Sequence, residues 1–171
     1  MSLITARALG HALRGEGAHV EVSAALDGMD WQLAGVRPNG APHTVFRLLN
    51  HMIYWQDLFL QRLTGAMAPS PPHAAEGWPG EDAPRRAGDW TAAVERFNQG
   101  LTSVQALINP DTLDQVLPNW NYRTRCEAIA LVASHNSYHI GQLVLVRRGL
   151  PGEPEPPRAA AAVPPPEVAV R

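Results

Sequence analysis

The sequence predicts an all-α protein, a four-helix bundle with a long connection between its second and third main helices. Three observations carry this. Apolar residues recur with helical periodicity in three long segments, and no alternating β-branched run of useful length occurs. Twelve of the sixteen prolines fall in two places, five between Pro69 and Pro84 and seven in the last twenty-one residues. Because proline cannot continue a helix interior, the remaining stretches are the ones free to be helical.

In chain order, Leu3 to Leu13 reads as a helix that Gly15 and Gly17 interrupt. His19 to Met29 either resumes it or forms a separate short helix before the loop at Arg37-Pro38-Asn39-Gly40. Thr44 to Thr64, TVFRLLNHMIYWQDLFLQRLT, is entered after Pro42 and stopped by Gly65. The connection from Gly65 to Gly88 is long enough to run the length of the bundle, so the helices it joins can be parallel. Asp89 to Ile108 follows, with Asp89 as expected N-cap and Asn109-Pro110 as stop. The last helix is the clearest. Thr124 and Glu127 form a capping-box pattern, Arg147 and Arg148 fall in the last turn, Gly149 stands where a C′ glycine belongs, and Pro151 follows. It is expected to run about 24 residues, or ~36 Å.

The chain has 171 residues, 45% hydrophobic and 18% charged, with a net charge of −2. That describes one domain with a real core, expected over 1–150, followed by a Pro/Ala-rich tail over 151–171. One cysteine, Cys126, excludes a disulfide framework and a cysteine-based zinc module. All fourteen basic residues are arginine, which excludes a Schiff-base lysine and a P-loop lysine. The arginines are scattered rather than clustered, so neither nucleic acid nor an anionic membrane is expected as a partner. No apolar run approaches a membrane span, and MSLITARALGHALRG lacks a signal-peptide core, so a cytoplasmic location is expected.

Any metal site must then be built from the seven histidines and the carboxylates. On the last helix His135 and His139 are spaced i, i+4, which puts both rings on one face, one turn apart. On a helical wheel that face also carries Ala128, Leu131, Val132, Tyr138, Gln142 and Val146, an expected core-facing stripe with Asn136 at its edge. Two buried imidazoles need partners for their nitrogens, and a cation satisfies both. His51, among Leu48, Tyr54, Trp55 and Leu58 on its own helix, qualifies as a third ligand. Cys126, nine residues before His135, projects the other way. His11, His19, His43 and His73 fall in or near loops or on the weakest helix, and are expected to be exposed or capping. From the residues alone, two readings of His51, His135 and His139 stand: a metal site, or core histidines satisfied by protein partners.

The segments HMIYWQDLFLQRL around His51 and HNSYHIGQLVLVRRGLP around His135 resemble the two signature segments of the DinB/YfiT-like superfamily, which includes mycothiol-dependent maleylpyruvate isomerases and bacillithiol transferases. The resemblance runs from roughly Gly17 to Leu150 and takes in the lead-in RPNGAPHTVFRLLNH, Trp78-Pro79 and Trp90. It implies a four-helix bundle, commonly dimeric, with one divalent metal held by a histidine of the second helix and two of the fourth. These match His51, His135 and His139. Many relatives continue the fourth helix with Gly-x-Trp-Pro-Pro, whereas this chain reads Gly149-Leu150-Pro151-Gly152.

Three neutral imidazoles leave an ion its full charge and leave coordination positions open, the pattern of catalytic sites. Such an ion deprotonates a bound thiol or activates water. The expected function is therefore that of a metal-dependent enzyme, transferase-like on a low-molecular-weight thiol co-substrate or hydrolase-like on another small molecule. The alternatives are a non-catalytic metal or small-ligand binding protein of a stress response, and a bundle with structural histidines. Imidazole ligands suit zinc or nickel first, and also iron and copper. Trp55, Tyr138, Gln142 and Asn136 are the expected pocket residues, with Gln142 or Tyr138 orienting an imidazole or a metal-bound ligand. No Ser, Cys, Asp or Glu is placed beside the histidines by spacing, so no triad is expected. Arg47 and Arg62 can recognise a substrate or be solvated. On the opposite face of the last helix, Ala133, Ser137 and Gly141 allow close approach of either the first helix or a second subunit, and a homodimer is expected.

Overall fold

The computed structural model describes residues 2–78 and 80–152. The elements are α1 (Leu3–Arg14), α2 (Val22–Leu26), α3 (Trp31–Ala34), α4 (Val45–Leu63), α5 (Ala87–Ala106), β1 (Val116–Leu117), β2 (Arg123–Thr124) and α6 (Arg125–Arg148). Four of these are bundle helices, α1, α4, α5 and α6, so the all-α architecture stands. The tail expected over 151–171 lies, from residue 153 on, outside the described residues, as does Pro79. No helix of the described residues is long and apolar enough to cross a membrane.

Capping side chains set most helix starts. Ser2 Oγ accepts from Thr5 N, and the left-handed Gly15 closes α1, its N–H reaching Ala12 and His11 carbonyls. Thr44 Oγ1 accepts from Arg47 N to start α4. The capping box of Thr124 and Glu127 starts α6, whose 24 residues match the expectation. Three expectations shift. Helix α5 starts after Arg86, so Asp89 is a first-turn acid, its carboxylate accepting from Arg85 N at 3.1 Å. Gly149 caps α6 with φ −84, not in the left-handed region, and it sits close under Pro38, 3.1 Å from where a Cβ would lie. The short α3, capped by Asp30, and the antiparallel β1–β2 pair were not expected.

The connection from α4 to α5 does run the length of the bundle. It leaves the end of α4 where Arg62 holds Ala68 and Ser70, passes His51 at Gly77, and reaches the start of α4 where Thr44 Oγ1 donates to Asp82 O. Arg37 and Arg47 both pair with Asp82 there, and the Arg47 hydrogen bond above all holds its carboxyl below the usual range. Helix α5 therefore lies parallel to α4, with Phe46 beside Trp90, Asp57 paired with Arg96, and Gln56 bonded to Phe97 O.

The core divides into two apolar clusters. One gathers residues of α2, the first half of α4, Trp90, Phe97 and the second half of α6, including Leu48, Met52, Ile140 and Leu143. The other gathers α1, Phe59, Leu63, Val104, Trp120 and the first half of α6, including Ile129 and Val132. Between them runs a buried polar layer. Asn136 Nδ2 donates to Gln56 Oε1 at 3.3 Å, and Gln56 Nε2 donates to Phe97 O at 2.9 Å. Gly100 makes room for it, because a Cβ there would fall 2.0 Å from Gln56 Nε2.

Helix α1 packs on α6 and covers Ala133, while Ser137 bonds His19 across the same contact. Ala133 thus faces the chain's own first helix, and Ser137 faces the segment that follows it. Gly141 stays open, with nothing near a Cβ built on it.

Candidate metal centre

Helices α4 and α6 face each other at the polar layer, and there the structure brings His51, His135 and His139 together. One ligand nitrogen from each lies within 4.8 Å of the others. His51 and His139 are buried and His135 is half-buried. The centroid separations of the rings are 5.3 Å for His51 and His135, 4.4 Å for His51 and His139, and 4.5 Å for His135 and His139.

Hydrogen bonding fixes which nitrogens point at one another. His51 Nδ1 lies 2.5 Å from Gly77 O, an acceptor, so Nδ1 carries the proton. Gln142 Nε2 donates to the Tyr138 hydroxyl, and its Oε1 accepts from His139 Nδ1 at 2.7 Å. Both rings thus turn an unprotonated Nε2 inward, and these two atoms are 3.1 Å apart. Two lone pairs at that distance repel unless a cation lies between them. Nitrogens that share one ion at ~2.0–2.1 Å are themselves about 3.0–3.4 Å apart, so the donor set fits a metal.

A proton is the other cation that could bridge them, and the site disfavours it near neutral pH. Burial pushes His51 down to about 4, with His139 and His43 adding to the effect and the Gly77 hydrogen bond opposing it. His135 is likewise pushed down to about 4, by burial first and then by His139 and His51. Burial also lowers His139, against the hydrogen bond it gives to Gln142. The imidazoles stay neutral, which is the form that binds metal.

The surroundings correct parts of the wheel. Trp55 lies by the cluster as expected, 6.3 Å from His51 and 6.2 Å from His135 between centroids, and packs on Gly77. Tyr138 touches His139 edge-on but is 64% exposed, and Leu131 is exposed too, so neither belongs to a core stripe. Asn136, expected at the edge, is instead 1% exposed in the centre of the buried face. The core-facing line of α6 is Ile129, Val132, Asn136, Ile140 and Leu143, which leaves His135 and His139 at its margin, where solvent reaches the site.

Several contacts were not expected. Trp78 stacks on His51 at 3.7 Å and on His43 at 3.9 Å. His43 is thereby half-buried rather than exposed, and burial, with Arg47 and Arg37, lowers its pKa. Phe59 meets His135 edge-on at 5.8 Å, and Gln56 supports Asn136. The signals were present: a polar Gln on an apolar helix face, a Gly100 opposite it, and a tryptophan in a proline-rich loop. Cys126 stays away from the histidines, half-buried at the start of α6, with burial raising its thiol.

No curated protein and no solved structure matches this chain. A family model described as the DinB superfamily matches residues 16–143, three-quarters of the length, and spans all three histidines. The chain belongs to the DinB superfamily.

Proposed function

We propose that His51, His135 and His139 hold one divalent metal ion, zinc or nickel first, and that the protein is a metal-dependent enzyme acting on a small molecule. The facing Nε2 atoms of His51 and His139, 3.1 Å apart with both Nδ1 protons committed elsewhere, carry this reading. When bound, the ion supplies a Lewis acid whose uncommitted positions take a thiol or water and lower its pKa.

The chain's own residues do the rest. Gly77 O and the Trp78 indole hold the His51 ring in place, and Gln142, steadied by Tyr138, holds His139. Trp55, Phe59 and Trp78 restrict water around the half-open site. Since Cys126 is remote, thiol transfer requires the thiol to arrive as a co-substrate, and hydrolysis, with water in its place, is the other reaction that such an ion serves. A specific observation favours a binder without turnover. Among the described residues the side chains recorded against the three histidines include Trp55, Phe59, Trp78, Tyr138, Gln142 and Asn136, and no carboxylate joins the cluster to act as a base. His43, behind Trp78, is the candidate that answers this.

Titration of metal-free protein with nickel or cobalt, followed by absorbance, tests the site. One equivalent is expected to bind, and His51→Ala and His139→Ala are expected to lose it; equal binding by either variant rejects the assignment. Turnover of a low-molecular-weight thiol with an electrophile by the loaded protein separates enzyme from binder. A homodimer belongs to the same proposal, since α6 leaves Leu131, Tyr138 and Leu145, spaced by seven, exposed along one line.

A further inference from the structure

Arg62 stands at the far end of α4 from His51 and is only 8% exposed. A buried guanidinium normally has a carboxylate beside it, because taking a charge out of water is costly unless it is paired. Among the described residues, neither Arg62 nor its neighbour Arg123 has an acid within ion-pair distance. Instead the two cations share one aromatic ring: the guanidinium carbons lie 5.4 Å and 4.8 Å from the Trp120 centroid. Cation–π attraction accounts for each singly, but it does not offset their repulsion of one another. Glu127, whose carboxylate feels Arg123, is committed to Thr124 N and Oγ1 at 2.6 and 2.9 Å.

Some donors are also left over. Arg62 gives Nε to Ala68 O and Nη2 to Ser70 Oγ, each at 2.8 Å, and among the described residues its Nη1 has no acceptor and is not sealed from solvent. The Arg123 guanidinium makes no hydrogen bond among the described residues, and its Nε is buried without one. We propose that Arg62 and Arg123, with Trp120 as the floor, bind an oxyanion group, a carboxylate or a phosphate. Planar forks matched to such oxygens would satisfy the free N–H groups and neutralise the paired charges.

The place of this pair ties it to the histidines. Phe59 stacks on Trp120 at 5.2 Å and meets His135 at 5.8 Å, so one phenyl ring separates the anion site from the candidate metal. The connection between α4 and α5 runs along the same face from Ser70 to Gly77. The oxyanion is then either a free ion or the tail of a molecule whose other end meets the metal, and the second source rests on the reading of the metal site given above.

Both sources are testable. Metal-free protein is titrated with inorganic phosphate at constant ionic strength, following tryptophan fluorescence and the melting temperature. Saturable binding is expected, weakened roughly tenfold in Arg123→Gln and unchanged in Arg96→Gln, whose arginine pairs with Asp57 on the surface. Arg62→Gln is a second variant, less decisive because Arg62 also fastens the chain at Ala68 and Ser70. Cobalt-loaded protein is then titrated with mercaptohexanoate and with mercaptohexanol, reading thiolate-to-cobalt absorption. A preference of roughly tenfold for the carboxylate that disappears in Arg123→Gln identifies the anion as a tail; phosphate binding without that preference identifies a free ion. If neither probe responds to Arg123→Gln, the anion site is overturned. Failure of cobalt to bind rejects the metal reading alone, because the phosphate titration does not depend on it.

Discussion

Neutral histidines held in a buried layer make the stability of this protein depend on pH with a definite sign. His51 and His135 sit at about 4 in the folded chain, below the unfolded value of 6.5. Between these limits the unfolded chain binds protons that the native state refuses, so metal-free protein loses stability as pH falls from about 6.5 to about 4. Above that window the contribution is complete and flat. His51, 5% exposed, accounts for at most about 3 kcal/mol of the loss, and the more open His135 for less. Urea midpoints of metal-free protein at about pH 7.5 and about pH 5 measure it; equal midpoints would mean that the rings charge freely in the fold. At the same scale, Gln142→Leu removes the acceptor that fixes the His139 tautomer. Metal affinity is expected to drop about 10- to 100-fold, read by chelator competition, with Tyr138→Phe milder because it acts only through Gln142. An unchanged affinity in Gln142→Leu would show that the ring needs no such support.

The helices differ in how openly their sequences declare them, for reasons that can be traced to particular residues. Thr44 and the Thr124–Glu127 box are side-chain caps, so the starts of α4 and α6 were legible, and with them the convergence of His51, His135 and His139. Arg86 caps α5 with its backbone alone, which leaves no residue type to read, and Asp89 looked like the better start. Helix α6 carries apolar residues nearly all round, so its wheel has no clear face, and centring it on His135 misplaced Tyr138, Leu131 and Asn136. Trp78 and His43 lie in irregular backbone, where periodicity predicts nothing about direction. Two predictions belong to the elements. Gly100→Ala ought to gain about 1 kcal/mol of helix propensity in α5, yet its methyl would displace Gln56 and break the buried amide chain. A net destabilisation of about 2 kcal/mol is expected from urea unfolding; a neutral result would mean that Gln56 can move aside. The connection is fastened to His51 by Gly77 O and Trp78, so removing the metal should speed amide hydrogen exchange at Glu76 and Trp78 and spare the middle of α4. Exchange that is indifferent to metal would uncouple the two.

At the scale of the whole molecule, the chain itself covers only some faces of α6. Helix α1 and the His19 segment after it take the side of Ala133 and Ser137, and α4 takes the side of Asn136 and Leu143. What is left is a line of large apolar side chains at Leu131, Tyr138 and Leu145, 37%, 64% and 70% exposed, with Ser134 and the open Gly141 between them. Apolar residues repeating every seven positions, alternating with small ones, form the kind of seam into which a second helix packs. A single seam of this length is the centre of an interface rather than the whole of one, since a stable pair buries about 1,200 Å² or more in total. The prediction is a dimer in sedimentation at micromolar concentration, converted to monomer by Leu131→Glu with Leu145→Glu. One equivalent of nickel should still bind to that monomer, because neither leucine touches the histidines' hydrogen-bond partners. Tyr138, in the same line, supports Gln142 and through it His139, so the second copy would lie against the open side of the metal centre. Binding of a small thiol to cobalt-loaded protein should therefore change as the dimer dissociates on dilution, while in the double variant it stays constant. A parent protein that sediments as a monomer removes the seam as an interface and leaves Leu131 and Leu145 without a partner.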